Sequence, residues 1–409
     1  MVFTVNVQRL SDLIDDTVEE ETMNKMKKFE KLFEELKSYI KRNKIILYGG
    51  TAMDLHLPEG SKIYSEKDFP DYDAFSVDPK KDAENLANKF TKLNYKYIEI
   101  KYAMHDGTYK LYVDFEPIID LTKVSTKNHK ILLKNSKEIN GYIVTSIKHL
   151  KSAAYLELSI PKSSLFRWQK VIDRIKLMES EFKNNKSAYS IKSIQHISFS
   201  KKINETVEGM LNYAIENGLP VAGNHAIEYY LNDFELSGKG LDKFMLTNSS
   251  GVMQLLSTNV ESDTLKLEKL VKKNGFKKVI VKTIKDDFIV PHTKLYVDYF
   301  DDRYTFEKIQ LNLCTIYDAN DHCFGYKEDS KMTIKFASIF FVLHILYYTL
   351  FKGEDRIDKV NIKNIINKLS RSIDINHFQT ECYGVELTMN EIKRRRWDER
   401  KPVTLLRMA

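Results

Sequence analysis

The pentapeptide "KLYVD" occurs twice, at 110–114 and at 294–298, in a chain of 409 residues with no other obvious repetition. The surroundings of the two copies run in the same order. Residues 23–43 ("MNKMKKFEKLFEELKSYIKRN") place Met26, Phe29, Leu32, Phe33, Leu36 and Ile40 on one helical stripe, and "ETVEGMLNYAIENG" also reads as a helix. "IILYGGTAMDLHL" is a buried strand closed by glycines that opens a helix, and "LPVAGNHAIEYYL" repeats that layout. "YDAFSVDPKKDAENLANKFTKLNY", strand then helix, is tracked by "MQLLSTNVESDTLKLEKLVKKNGF". "YKYIEIKYAM", a turn "HDGT" and "YKLYVDFEPIIDLTKV" read as one long hairpin, tracked by "KKVIVKTIKDDFIVPHTKLYVDYF". After each sheet comes a helix, "IKHLKSAAYLELSI" answering "IKFASIFFVLHILYY". Two unrelated domains would rarely share element order, apolar pattern and a pentapeptide. The pattern therefore predicts duplication of one α+β domain of about 180 residues, a mixed sheet with flanking helices. The expected domains are 1–195 and 196–409.

Hydrophobic content of 43% with 11% aromatics is that of a globular chain. The net charge of +7 favours an anionic partner such as nucleic acid or a nucleotide. Cys314, Cys323 and Cys382 show neither metal spacing nor a disulfide framework, which implies a reducing compartment. The N-terminus carries acids where a signal peptide needs an apolar core. The most apolar run, 337–351, is too short for a bilayer of ~30 Å and reads as a buried helix holding His344, so no membrane partner is expected.

The copies differ where chemistry would sit. Gly49-Gly50-Thr51 becomes Gly223-Asn224-His225, and Asp71-Tyr72-Asp73 becomes Val252-Met253-Gln254. Aligned from its end, "IIDLT" becomes "KIQLN", so Asp120 faces Gln310, whereas Asp114 survives as Asp298. The first copy reads as active and the second as a scaffold. Residues i and i+2 of a strand share a face, so Asp71 and Asp73 form a carboxylate pair whose repulsion calls for cations. Oxygen ligands of this kind suit Mg²⁺ bound with substrate phosphates. A third carboxylate would complete a two-metal site, one ion activating a hydroxyl and the other steadying a leaving pyrophosphate. Asp114 and Asp120 share strand parity. Loss of the Asp120 counterpart together with the other two assigns the role to Asp120, leaving Asp114 a hydrogen bond in the hairpin. Gly49, Gly50 and Thr51 close a strand and open a helix, where backbone N–H groups can approach phosphate.

This ordered combination resembles the polymerase-β-like nucleotidyltransferase superfamily. More narrowly, "LYGGTAMD", "PDYDAFS", "DAENLA", "IIDLT", "LELSIPKSSLFRWQKVIDR" and "TECYGVEL" resemble poly(A) polymerases of large nucleocytoplasmic DNA viruses. The resemblance implies two tandem nucleotidyltransferase-like domains, the second degenerate, and template-independent transfer of AMP from ATP to RNA 3′ ends. Asp71 and Asp73 would bridge two Mg²⁺ or Mn²⁺ ions, Asp120 would hold the ion at the attacking hydroxyl, and Gly49, Gly50 and Thr51 would cradle the β- and γ-phosphates. It also implies a cytoplasmic or virion-associated setting and self-association through the second domain. Alternative readings are a nucleotidyltransferase for another nucleotide or acceptor (CCA-adding, uridylyl- or oligoadenylate-forming) and a non-catalytic RNA-binding scaffold.

Arg167, Lys170 and Arg174 fall on one helical face, Lys170 suited to nucleotide and the two arginines to RNA, against the alternative of a solvated basic face. Trp168 reads as core. Lys62 and Lys67 precede the carboxylate pair and could steer ATP. In the tail, Arg395 and Arg396 belong to a basic cluster around Trp397 that suits single-stranded RNA. His105, next to the turn "HDGT", reads as a polar turn residue, and His56 and His225 show no ligand spacing.

Overall fold

The structure, a computed structural model, describes residues 7–65, 68–103, 107–160, 167–182, 201–231, 252–300, 308–320, 322–329, 331, 333–353, 359–373 and 381–384. These form two compact units, one running to Leu150 and the other from Lys151 to Ile392. The helix at 168–181, which precedes the expected domain boundary at 195, lies in the second.

The first unit opens with α1 (Val7–Arg42), which begins well upstream of the predicted stripe. Phe29, Leu32, Phe33, Leu36 and Ile40 are buried as their spacing predicts. There follow β1 (Ile46–Tyr48), α2 (Gly49–His56), β2 (Tyr72–Ser76), α3 (Pro79–Lys92), β3 (Ile98–Tyr102), β4 (Thr108–Val113), β5 (Glu116–Lys123), α4 (Thr126–Asn135), β6 (Lys137–Ile139), β7 (Tyr142–Val144) and the start of α5 (Ile147–Ser159). The sheet runs β3-β4-β5-β2-β1-β7-β6. β2 lies parallel to β5 and antiparallel to β1. Tyr72, Ala74 and Ser76 on one face of β2 are buried, and on the other face Phe75 is buried while Asp73 at the strand's start is only half-buried.

The expected single hairpin is a three-stranded meander instead. A second turn falls at Asp114 and Phe115, whose φ angles of 49° and 69° are left-handed without a glycine to signal them. Beside this turn, Leu111 pairs with Ile119 and Tyr112 with Pro117, so a bulge takes up one residue of β5.

The second unit contains α6 (Trp168–Glu181), α7 (Lys201–Glu216), β8 (Val221–Ala222), α8 (Gly223–Tyr230), β9 (Met253–Ser257), α9 (Val260–Lys273), β10 (Val279–Ile284), β11 (His292–Phe300), β12 (Lys308–Asp318), β13 (Phe324–Asp329), β14 (Ile334–Ala337), α10 (Ile339–Lys352), α11 (Lys359–Ser372) and β15 (Glu381–Tyr383). Its sheet order, β10-β11-β12-β9-β8-β14-β13-β15, repeats the first strand for strand and adds β15 at one edge. The repetition extends to single hydrogen bonds. In the first unit Tyr39 and Ser76 donate to the two carboxylate oxygens of Asp82, at 2.7 and 2.5 Å. In the second, Tyr213 and Ser257 do the same to Asp263, at 2.5 and 2.6 Å.

The registers correct two sequence alignments. Asp73 pairs with Asp120 in the first sheet, and Gln254 pairs with Thr315 in the second. The counterpart of Asp120 is therefore Thr315, not Gln310. The β11–β12 hairpin is longer beyond its bulge, and Gln310 lies in that added arm opposite Asp298. Similarly, "IKF" at 334–336 belongs to strand β14, and the helix starts at Ile339 behind an N-cap at Ser338.

The apolar run is the buried helix expected, α10, with His344 inside it. Its ring nitrogen Nδ1 lies 2.9 Å from the Ser152 carbonyl and 3.0 Å from the Ser152 hydroxyl. Among the described residues no helix is long and apolar enough to cross a membrane. The cysteine reading needs correction. Pairing of β13 with β15 brings Cys323 and Cys382 together as a disulfide, with Cα atoms 5.2 Å apart. They are 59 positions apart in sequence, so spacing alone gave no cue.

Candidate active site

The carboxylates come together because four strands are in register. Across the first sheet the pairs Lys110–Asp120, Asp120–Asp73 and Asp73–Tyr48 form one continuous row over β4, β5, β2 and β1. Asp71 lies two residues before Asp73, just ahead of β2, and is exposed. Asp114 is elsewhere. It sits in the turn at the end of β4, and its carboxylate takes an ion pair from Lys28 of α1 at 2.7 Å.

The glycines set how closely the chain can approach this row. Gly49 has φ of 70°, and a Cβ built on it would stand 2.1 Å from Asp73 Oδ2. Only a residue without a side chain lets the β1–α2 turn lie against that carboxylate. Gly50 is buried in the first turn of α2. The Thr51 hydroxyl donates to the backbone oxygen of Asp71 at 2.5 Å. Its proton is thereby used to fix the loop before β2, and phosphate contact in this turn is left to backbone N–H groups.

The electrostatics mark the row as strongly negative. Burial raises the Tyr48 phenol far above its usual range, and the charges of Asp73, Asp120 and Asp71 add to the effect. Its hydroxyl has Thr122 as partner at 2.8 Å. Lys110 forms an ion pair with Asp120 Oδ2. Burial works against the Lys110 ammonium. Its hydrogen bond and charge contact with Asp120, together with Tyr112 and Asp71, nevertheless hold it above the usual lysine range. Among the described residues no three His, Cys, Asp or Glu side chains converge as a ready metal centre. The all-oxygen donor set suits Mg²⁺ or Mn²⁺, and the ammonium on Asp120 shows that this position takes a cation.

The corresponding row of the second unit is neutral. Gly223, with φ of 63°, backs Gln254 as Gly49 backs Asp73, its hypothetical Cβ 2.4 Å from Gln254 Nε2. Gln254 accepts from the Tyr317 hydroxyl at 3.3 Å, and Thr315 from the Asn312 amide at 3.0 Å. Gln254, Thr315 and Asn312 are fully buried. The cradle survives there around hydrogen-bonded neutral groups.

The remaining candidates divide. Arg167 caps α6 with its Nε 3.8 Å from Glu157, Lys170 is exposed and Arg174 is half-buried. Val171, Ile175 and Met178 bury the opposite stripe, and Trp168 is half-buried. All belong to the second unit, whereas the carboxylate row belongs to the first. Lys62 is tied to the Asp54 carbonyl at 2.8 Å. His56 contacts the Thr145 carbonyl at 2.8 Å, and burial pushes its pKa down. Burial likewise takes His225 down to about 4. Lys67, His105, Arg395, Arg396 and Trp397 lie outside the described residues. Lys110 and Tyr48 were not legible as site residues. Lys110's place follows from the turn at Asp114–Phe115, which sequence reading missed, and Tyr48's from the antiparallel pairing of β1 with β2.

A mixed sheet carrying a carboxylate row backed by a strand–Gly–Gly–helix turn, with the same sheet order repeated in the second unit, defines the class by fold, an α+β protein with two mixed sheets and flanking helices. Residues 34–164, which span the row, match the family model described as "Poly(A) polymerase catalytic subunit". Proteins assigned by name to that subunit are similar to this chain in African swine fever virus (isolate Pig/Kenya/KEN-50/1950), 31% identical over 160 residues or 37% of this chain, and in Acanthamoeba polyphaga mimivirus, 28% identical over 149 residues or 35%. The chain spans about a third of the length of the first and a quarter of the second (33% and 25%). The fold resembles that of the Megavirus polyadenylate synthase with a TM-score of 0.78, covering 98% of this chain and 84% of that one at 16% identity. The expected resemblance to viral poly(A) polymerases is thus borne out over 34–164, and the α+β fold over nearly the whole chain.

Proposed function

We propose that the chain is a polynucleotide adenylyltransferase that adds AMP from ATP to RNA 3′ ends without a template. The observation that carries this is the register pairing of Asp73 with Asp120 in the row that Gly49 backs, within the segment that matches the poly(A) polymerase catalytic model. Asp71, Asp73 and Asp120 would hold Mg²⁺ or Mn²⁺. When bound, the ions neutralise charge on the α-phosphate and leaving pyrophosphate and ease deprotonation of the attacking 3′-hydroxyl.

The chain's own part is positioning. The turn at Gly49 and Gly50 presents the start of α2 to the polyphosphate. Thr51 pins the carbonyl of Asp71 and so holds the first carboxylate beside the second. Asp120 accepts positive charge where the hydroxyl is to be activated. Lys170 on nucleotide, Arg167 and Arg174 on the RNA backbone, and self-association through the second unit complete the proposal.

The test is extension of a short labelled RNA with each of the four NTPs and Mg²⁺ or Mn²⁺. We expect a ladder with ATP. Asp73→Ala and Asp120→Asn should lower the rate at least about a hundredfold, whereas Asp114→Asn should keep activity, since Asp114 serves a salt bridge to α1. Extension with UTP or CTP but not ATP would refute adenylyl specificity. Absence of a ladder with every nucleotide, despite tight RNA binding, would refute the enzyme reading.

A further inference from the structure

Lys110 is the basic member of the carboxylate row. It sits directly opposite Asp120 on β4 and pairs with its Oδ2. The pair is partly sheltered, the side chains 35% and 16% exposed, and the neighbours across the sheet are Asp73 and then Tyr48. An ordinary cross-strand ion pair adjusts only local sheet stability. This one engages a carboxylate whose next neighbour along the row is another carboxylate, with Asp71 two residues beyond. A cation there relieves the repulsion that would otherwise oppose folding of the sheet. In the second unit the same register sets Lys294 opposite Thr315, so a lysine bound to a carboxylate in the row is a property of the acidic copy.

We propose that Lys110 is the resident counter-cation of the carboxylate row: its ammonium occupies Asp120 until a divalent ion displaces it. This rests on the metal-dependent reading of the row given above. Displacement makes Lys110 a positioning residue with two effects. It weakens binding of a lone divalent ion, because the ion must compete for Asp120. Once freed, the ammonium stands beside the row as a positive charge for the incoming triphosphate, so ion and nucleotide favour each other's binding. Lys110 does not contact the reacting atoms in this account.

The sign of one measurement separates this role from a structural one. Mn²⁺ affinity is read by the electron paramagnetic resonance signal of the free ion, at fixed ionic strength, without nucleotide or RNA. Wild type is compared with Lys110→Met, with Lys110→Gln as a second uncharged variant in case the first folds poorly, and with Lys110→Arg. Removing the competing charge should tighten Mn²⁺ binding at least about fivefold, and Lys110→Arg should bind as wild type does. Melting in metal-free buffer should fall in the uncharged variants and recover with Mn²⁺. Damage to the sheet can only weaken Mn²⁺ binding, so unchanged or weaker binding in both uncharged variants overturns the proposal. Mn²⁺ binding by wild type that Asp73→Ala leaves unaltered would overturn the metal reading itself, and Lys110's part with it.

Discussion

Gly49 and Gly223 do the same thing in two places, and only one of them faces a carboxylate. Both hold φ above 60°, and both would drive a Cβ into the side chain opposite, Asp73 or Gln254. Replacing either by alanine should destabilise its own unit by about 1–3 kcal/mol, from left-handed backbone plus the forced shift of the neighbour. The functional outcomes should diverge. Gly49→Ala displaces Asp73 and should abolish Mn²⁺ binding and RNA extension, whereas Gly223→Ala should leave both within about twofold, since no ligand group is moved. Urea melts with Mn²⁺ titrations on the two variants would check this, and equal loss of Mn²⁺ binding in both would show that the second cradle matters to the site. The glycine pair was legible in sequence because it interrupts an apolar strand. The contact with Asp73 was not, because it depends on the antiparallel pairing of Tyr48 with Asp73.

At the scale of elements, each strand that starts the row is tied to the helix behind it by a duplicated clamp. Asp82 in α3 receives Tyr39 and Ser76, and Asp263 in α9 receives Tyr213 and Ser257. In both copies the same serine oxygen accepts the backbone N–H two residues on, Asp78 at 3.0 Å and Asn259 at 2.9 Å. Asp82→Ala and Asp263→Ala each strand a tyrosine and a serine hydroxyl, and each should cost about 2–3 kcal/mol in chemical denaturation. The cost should be larger for Asp263, because it and Ser257 are buried (6% and 0% exposed) while Asp82 is half-buried. The signal for this clamp, Ser-x-(Asp/Asn)-x-x-x-Asp at 76–82 and 257–263, lay in both copies. Helical and strand periodicity pass over it, since periodicity records apolar residues and the clamp is polar. The order of elements was readable because apolar stripes survive duplication. The turn at Asp114–Phe115 was not, because Asp114 is an ordinary turn residue but Phe115 stands at the second left-handed position, where glycine is the usual signal. That single omission displaced the alignment of Asp120 from Thr315 to Gln310.

For the molecule as a whole, the acid response should be concentrated in the second unit. Burial takes both His225 and His344 from 6.5 down to about 4. Below pH 6.5 the unfolded chain binds a proton at each position and the folded unit does not. Stability contributed by the neutral rings is therefore full above pH 6.5 and is lost as pH falls towards 4. Each histidine should withdraw on the order of 1–3 kcal/mol over that window. Melting followed by near-ultraviolet circular dichroism from pH 7.5 to 4.5 should show the fall, and His344→Leu should flatten it. A His344→Leu profile as steep as wild type would assign the response elsewhere. The helix that holds His344 was legible as buried from its unbroken apolar run, but the hydrogen-bonding partner Ser152 lies 192 positions away and no local pattern points to it.

The longer hairpin of the second copy carries one more implication. Below the bulge the two sheets pair alike, Lys110 with Asp120 and Lys294 with Thr315. Beyond the bulge, β11 and β12 make five more pairs, whereas β4 and β5 make two before they turn. The duplication has thus already carried out an insertion experiment on this architecture. It lengthened the chain at the hairpin tip without shifting the strands beneath by a single residue. The bulge acts as a firebreak, separating a tip that differs in length between the two copies from a row whose register is the same in both.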